Sequence, residues 1–304
     1  MDTLKTMTYE ARDRIARITL NRPDRGNGIT LEMPLELTAC VERANLDPGV
    51  HVIALAGNGR GFCGGYDLVA SAERMLSGEQ DPAGMPGSPL DPAVQLANHA
   101  PGTAWDPMVD YAMMSRNVRG FMSLFFSDKP VVCKVHGFCV AGGTDMALCS
   151  DLLVIEDEAK IGYPPARVWG VPTTALWVHR VGIEKAKRLL FTGDSLSGRE
   201  AAAWGLALEA APAQHLGERF EGLLGRIARM PVNQLMMMKL AIHQTVLGSG
   251  LQAAQVLGTV FDGVARHTKE GYAFQQRAAE SGFKRAVRER DEPFGDAGPS
   301  TFKG

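Results

Sequence analysis

The chain has 304 residues, 45% of them hydrophobic and 22% charged, with a formal net charge of −2. That length bounds it to one large domain or two small ones and is enough to bury a sizeable core. The near-neutral balance excludes a global polyphosphate-binding surface, so nucleic acid is not expected as a partner.

Five cysteines, at 40, 63, 133, 139 and 149, are odd in number and form no CxxC. The spacing fits neither a disulfide framework nor a zinc ribbon and predicts reduced thiols. Met1 to Arg17 scatters charges through its length and has no apolar h-region, so it does not read as a secretory signal. No apolar run approaches the roughly 18–20 residues that a membrane span requires. These features together predict a cytoplasmic protein with no membrane partner.

In chain order, Arg14 to Leu20 alternates apolar and polar residues and reads as a strand closed by Asn21-Arg22-Pro23-Asp24. Leu31 to Ala44 has helical spacing. His51 to Ala56 is a second strand, apolar enough to be covered on both faces. Gly78 to Pro107 holds six prolines and four glycines in thirty residues and is expected to be an irregular functional loop or lid. Met108 to Phe126 reads as an amphipathic helix and Val131 to His136 as a third strand. Gly142-Gly143 opens a short helix to about Ser150, and Leu152 to Glu156 is a fourth strand.

Helices dominate from Thr174. Ser197 and Glu200 have the spacing of a capping box for a helix ended by Gly205. Further helices are expected over Leu216–Ala228, Asn233–Leu247, Gln252–Arg266 and Glu270–Glu280. The run Met236-Met237-Met238 is expected to fill core. Past Glu292 the tail is rich in Gly, Pro and Ser and is expected to fray.

Most catalytic templates fail. Gly59-x-Gly61-x-x-Gly64 follows a strand, but the chain then enters the Pro/Gly-rich stretch, with no acidic residue closing a next strand. A nicotinamide cofactor is therefore not expected. There is no GxSxG, no HExxH and no Gly-Lys pair, and the seven histidines are dispersed, so no metal is expected. What remains is two glycine clusters after strands, Gly64-Gly65-Tyr66-Asp67-Leu68 and Ala141-Gly142-Gly143-Thr144-Asp145. They read equally as tight connecting turns or as loops that free two amides for one oxyanion.

Several ordered motifs resemble the crotonase (enoyl-CoA hydratase/isomerase) superfamily. They are Ile18-Thr19-Leu20-Asn21-Arg22-Pro23, Gly59 through Leu68, and Lys129-Pro130-Val131-Val132 continuing to Gly137, Gly142 and Gly143. Ser150-Asp151-Leu152-Leu153 and Leu190 through Asp194 to Gly205-Leu206 complete the set, so the resemblance spans roughly Met7 to Phe283. It implies an α/β fold, a crotonase-like spiral of ββα units with a helical C-terminal trimerisation region. The spiral core is expected over 1–195, with the insertion at about 78–107. The helical region is expected over 196–290 and a flexible tail over 291–304.

By the same resemblance the chain is an enzyme acting on an acyl-CoA, with no cofactor beyond the coenzyme A of its substrate, as a homotrimer or homohexamer. The backbone N–H groups of Tyr66 and Gly142 become the oxyanion hole, with the dipole of the short helix behind Gly142. Gly64, Gly65 and Gly143 shape it, and Asp67 and Leu68 lie where the adenine sits. Arg22 and Arg25, with Lys284 and Arg285 of a neighbouring subunit, are candidates for the phosphates.

Of the two glutamates that hold water in hydratases, the first maps to Asp145. The second maps to Pro165, which has no proton to exchange. Tyr163, Arg167 and Thr173 lie in the same segment as possible substitutes, each with a plainer reading as packing or an ion pair. Asp67 has one too, as a loop-fixing acceptor. Hydration of a 2-enoyl-CoA with Asp145 as acid/base is the leading expectation. Decarboxylation or C–C hydrolysis of a β-dicarbonyl compound, and acyl-CoA binding without hydration, are the alternatives. The insertion is expected to admit a bulky or cyclic acyl group.

Overall fold

The computed structural model describes residues 4–68, 86–100 and 102–295. The chain opens as a hairpin of β1 (Met7–Arg12) and β2 (Ile15–Leu20), joined by Asp13 and Arg14, which both hold positive φ, 52° and 65°. A two-residue turn of that kind matches the twist of its strands. Strands β3 (Val52–Gly57), β4 (Val131–Val135), β6 (Leu152–Glu156) and β9 (Glu209–Ala211) complete a sheet ordered β1-β2-β3-β4-β6-β9, parallel from β2 onward. A smaller sheet, β5-β7-β8, is built from Phe138–Val140, Lys160–Gly162 and Ser195–Leu196.

Period-2 alternation splits the large sheet between two cores. Ala16, Ile18, Ile53, Leu55, Cys133 and Leu153 face the larger one, with α1 (Glu32–Leu46) and α3 (Pro107–Phe125) over them. Ile15, Val52, Ala54, Val132 and Val154 face the other, under Leu216, Phe220 and Leu224 of α8 (Ala213–Ala228). Val52 to Leu55 are buried on both faces, as the apolar run predicts. All five cysteines are free and buried.

Several expectations are corrected. Of the Pro/Gly-rich stretch, residues 78–85 and 101 lie outside the described residues, yet Pro92–His99 forms a helix, α2. Asp91 caps it by accepting from the Ala93 amide at 2.9 Å, and Pro92 occupies the first turn, where no N–H is needed. The division at 195/196 cuts through the fold, because β8, β9 and α8 are all parts of the sheet layers. The flexible tail expected over 291–304 starts with a held residue: Asp291 is buried and pairs with Arg167 and Arg290.

The remaining helices are α4 (Gly142–Leu148), α5 (Trp177–Val181), α6 (Ile183–Thr192), α7 (Gly198–Trp204), α9 (Val232–Gly248), α10 (Leu251–Arg266), α11 (Lys269–Ser281) and α12 (Phe283–Asp291). The capping box on α7 is present: the Glu200 amide donates to Ser197 Oγ at 3.3 Å and the Ser197 amide to Glu200 Oε2 at 2.7 Å. The methionine run is not core. Helix α9 turns Lys239 and His243 inward onto Asp151, at 2.9 and 3.0 Å, and leaves Met237, Met238, Leu240 and Ile242 exposed.

Candidate active site

Two loops meet beside α4. The first, after β3, is pinned to the segment after β2. Asn27 donates to Asn58 O at 2.8 Å and Gly61 O at 3.0 Å, and the Gly64 amide donates to Gly26 O at 2.9 Å. Ile29 then pairs like a strand residue: its amide donates to Gly65 O at 2.8 Å, and its carbonyl accepts from the Asp67 amide at 3.0 Å. Parallel pairing of this kind turns the Tyr66 N–H away from the ladder. The second loop follows β5, whose Val140 amide donates to Cys63 O at 3.1 Å. Ala141, at φ 54°, reverses the chain into α4, and the Gly142 N–H falls in the first turn, where no helical acceptor exists. Gly65 brings the loops into contact: at φ +93°, a Cβ added there would lie 2.8 Å from Ala141 Cβ and 3.5 Å from Gly142 N.

A cavity of about 640 Å³ opens beside these two amides. Gly64, Tyr66, Leu68, Gly142, Tyr163 and Pro165 line it, with Leu31, Met113, Met114 and Trp169 supplying apolar wall. Gly65, Gly143, Arg22, Arg25, Asp67, Asp145, Arg167 and Thr173 are not in that lining. Gly143 lets α4 approach, since a Cβ there would meet Cys63 O at 2.5 Å. Arg22 and Asp67 hold each other at 2.8 Å and so fix the loops to one another. Arg25 is exposed on the short turn Pro23–Arg25. Arg167 is a structural tie: buried, it bonds Thr192 O, Asp194 and Asp291 at 2.8, 3.1 and 3.1 Å. The ion-pair reading of Arg167 and the loop-fixing reading of Asp67 therefore describe the observed contacts. Lys284 lines the cavity of its own chain, while Arg285 is turned to Glu289 at 2.8 Å.

Asp145, on α4, is wholly buried. Its Oδ1 accepts from the Thr174 amide at 3.1 Å and from Thr174 Oγ1 at 2.8 Å, while Oδ2 has no partner among the described residues. Burial pushes its carboxyl up to about 7, against the pull of the Thr174 bonds. Thr173 Oγ1 is also buried without a partner among the described residues, the Tyr66 hydroxyl is turned to Asn117, and Tyr163 donates to Val171 O at 3.1 Å.

The sequence reading missed Asp262 and Arg266, which reach the same cavity from α10. Nothing in their local spacing distinguishes them from a surface i, i+4 ion pair. It also missed that the fold gathers His99, Asp110 and His267, whose ligand atoms lie within 4.8 Å of one another. Arg266 already sits on Asp110 at 3.2 Å, and both His267 ring nitrogens face carbonyls, Gly263 O at 2.8 Å and Asn98 O at 3.2 Å. That donor set suits a structural charge cluster better than a cation.

Residues 10–94 and 106–279 match the enoyl-CoA hydratase/isomerase family. The chain belongs to that family. A crystal structure of an enoyl-CoA hydratase from Mycobacterium smegmatis is 55% identical, with a TM-score of 0.92 over 100% of this chain and 99% of that one. A Thermus thermophilus relative is 29% identical over 272 residues, 87% of this chain and 95% of its own. The 1,2-epoxyphenylacetyl-CoA isomerase of Escherichia coli is 28% identical over 232 residues, 75% of this chain and 78% of its own. The fold is thus the crotonase fold, and the chain is an enzyme of the hydratase/isomerase family. Among the described residues, no helix is long and apolar enough to cross a membrane.

Proposed function

We propose that the chain is a lyase that hydrates a 2-enoyl-CoA to a 3-hydroxyacyl-CoA, with Asp145 as an acid/base, in a pathway such as fatty-acid metabolism. The observation that carries this reading is that Tyr66 and Gly142, whose amides meet no backbone acceptor among the described residues, line one cavity with the buried carboxyl of Asp145 on the same short helix as Gly142. Such donors hold the thioester oxygen as it gains charge in the enolate and cost no reorganisation during the reaction. A carboxyl with a pKa near 7 is matched to proton transfer at neutral pH. Lys160, Lys284 and Arg288 line the cavity and offer the cations that coenzyme A phosphates require. No further cofactor is needed, because coenzyme A arrives with the substrate.

The apolar wall of Leu31, Met113, Met114 and Trp169 suits a bulky or cyclic acyl group, a preference in keeping with the 1,2-epoxyphenylacetyl-CoA that the Escherichia coli relative's name states. The test follows loss of the conjugated enoyl-thioester absorbance over short, long and aryl-substituted 2-enoyl-CoAs. Turnover is expected, greatest on the bulky acyl groups. A protein that binds the esters and turns over none of them is not a hydratase. The second reading, decarboxylation or C–C hydrolysis, draws on Pro165, which lines the cavity where a second glutamate is expected. Binding without turnover draws on the same residue.

We further propose a homotrimer or homohexamer. Met237, Met238, Leu240 and Ile242 on α9, with Leu257 and Phe261 on α10, expose an apolar surface that a monomer rarely leaves in water. Light scattering after gel filtration is expected to give three or six copies, and Leu240→Asp with Ile242→Asp is expected to release monomers. A native monomer overturns this reading.

A further inference from the structure

The lining of the cavity includes two carboxylates among its described residues, Asp262 and Asp291. Asp291 is consumed by Arg290 at 2.7 Å and Arg167 at 3.1 Å. Asp262 is held more loosely. The Val171 amide donates to it, and Arg266 Nη2 stands 3.4 Å from its Oδ2. Arg266 is shared with Asp110 of α3, where it lies at 3.2 Å. Trp105 Nε1 donates to the same carboxylate at 2.7 Å, and His99 and His267 flank it. One cation between two carboxylates leaves Asp262 incompletely neutralised at the cavity wall.

Helix α10 is shaped to place it there. Gly258, one turn before Asp262, packs so tightly on the segment after the short helix 164–167 that a Cβ would meet Pro172 O at 2.8 Å. Gly263 packs on α3, where a Cβ would meet Asp110 Cβ at 2.9 Å. Gln255 on the same face donates to Thr174 O at 3.0 Å, the residue whose amide and hydroxyl hold Asp145. Asp262 is thereby brought close enough for its charge to disfavour ionisation of Asp145, with the Tyr66 and Tyr163 rings in the same field. Pro165 stands in the same wall and offers no proton.

We propose that Asp262 is the second acid/base carboxylate of the site, supplied from the C-terminal helical region in place of the glutamate that Pro165 displaces. This rests on the hydratase reading. The two carboxylates have different surroundings, and that separates their roles. Asp262 has a cation beside it and reaches the cavity, so it takes the proton of the attacking water. Asp145 has the Thr173 and Thr174 donors but no cation beside it among the described residues, and is the one held neutral. As the water oxygen bonds to C3, its proton passes to Asp262 and the electron pair of the double bond moves onto the thioester oxygen, at Tyr66 N and Gly142 N. That pair returns to C2 as Asp145 delivers its proton there. Asp262 then loses its proton, and Asp145 regains one, through the water that replaces product.

The test measures two reactions on native protein, Asp262→Asn, Asp262→Glu and Asp145→Asn. One is hydration of a 2-enoyl-CoA. The other is exchange of the C2 protons of a saturated acyl-CoA in deuterium oxide, read by NMR, which needs the enolate but no attacking water. Asp262→Asn is expected to lower kcat for hydration by about 100-fold or more with KM within about threefold, and to leave C2 exchange nearly intact. Asp145→Asn is expected to lower both by about 100-fold or more. Asp262→Glu keeps the carboxylate and is expected to hydrate at least about tenfold faster than Asp262→Asn. The asparagine variant's hydration rate is expected to lose its dependence on pH on the acid limb.

Hydration within about threefold of native in Asp262→Asn overturns the proposal, and so does an equal loss of both reactions, which marks a structural role. Should the asparagine variant fail to bind acyl-CoA, Asp262→Glu decides: exchange without hydration in it also overturns the assignment. A native protein that neither hydrates nor exchanges overturns the hydratase reading itself, and the proposal with it.

Discussion

Asp145→Asn is expected to slow hydration by about 100-fold or more and, in the same protein, to raise stability at neutral and alkaline pH. The two effects share one cause. The carboxyl is wholly buried and, among the described residues, has no cation beside it and one oxygen without a partner, so burial pushes its pKa up to about 7. In the unfolded chain the same group titrates near 3.9. The folded state therefore binds this proton more tightly than the unfolded state does. The stabilisation that follows is fully present below about pH 4 and is lost as pH rises through about 7. Above that, the fold carries a buried carboxylate at a cost of up to about 4 kcal/mol.

An asparagine keeps an oxygen for the two Thr174 donors and cannot ionise. Its melting temperature is expected to match the native protein near pH 4 and to exceed it by a margin that widens to about pH 8. Scanning calorimetry across that range checks this, and a margin that does not change with pH contradicts the raised carboxyl. On the activity side, a group that must donate its proton is lost as pH rises, so native kcat is expected to fall above about pH 7. The asparagine variant's residual rate is expected to be flat there. A variant that turns over as fast as the native protein removes Asp145 from the chemistry whatever its stability.

The sheet and the two glycine loops were legible because their signals are local. Val52 to Leu55 read as doubly covered from four consecutive apolar residues, and the capping box at Ser197 and Glu200 declares a helix start in four. Helix α2 was hidden by prolines, although Asp91-Pro92 carries a start signal of its own, a capping side chain followed by a residue that needs no donor. The methionine run misled for a different reason. Apolar residues predict burial, but not in which molecule, and α9 spends its inward face on Lys239 and His243. Asp262 was invisible because its meaning depends on contacts that Gly258, Gly263 and Gln255 make with Pro172, Asp110 and Thr174, more than eighty positions away in the chain. The signal available was on the helix itself: Gly258 and Gly263 flank Asp262, and small residues there mark a close approach.

Gly65→Ala is expected to cost at least about 100-fold in kcat while leaving acyl-CoA binding within about tenfold, because it separates the two amides without removing either. The position demands glycine twice. Its φ of +93° costs an alanine about 1–2 kcal/mol, and the new methyl would stand 2.8 Å from Ala141 Cβ. Neither neighbour can yield cheaply. Gly65 O is bonded to the Ile29 amide, and Ala141, itself at φ 54°, is bonded through its amide to Gly162 O at 3.1 Å. The loops must move apart by a few tenths of an ångström, and donors aimed at one developing charge lose alignment over that distance.

Two further variants separate this from general damage. Gly87→Ala carries the same φ penalty, at +78°, with nothing within 4 Å, and is expected to turn over at the native rate. Ala141→Gly removes the methyl that Gly65→Ala strikes, so the double variant is expected to recover at least about tenfold over Gly65→Ala alone, a coupling that independent sites do not show. If Gly65→Ala keeps native kcat, the amides of Tyr66 and Gly142 do not act together on one oxygen. The cavity then holds acyl-CoA without an oxyanion hole, and binding without hydration becomes the reading that fits.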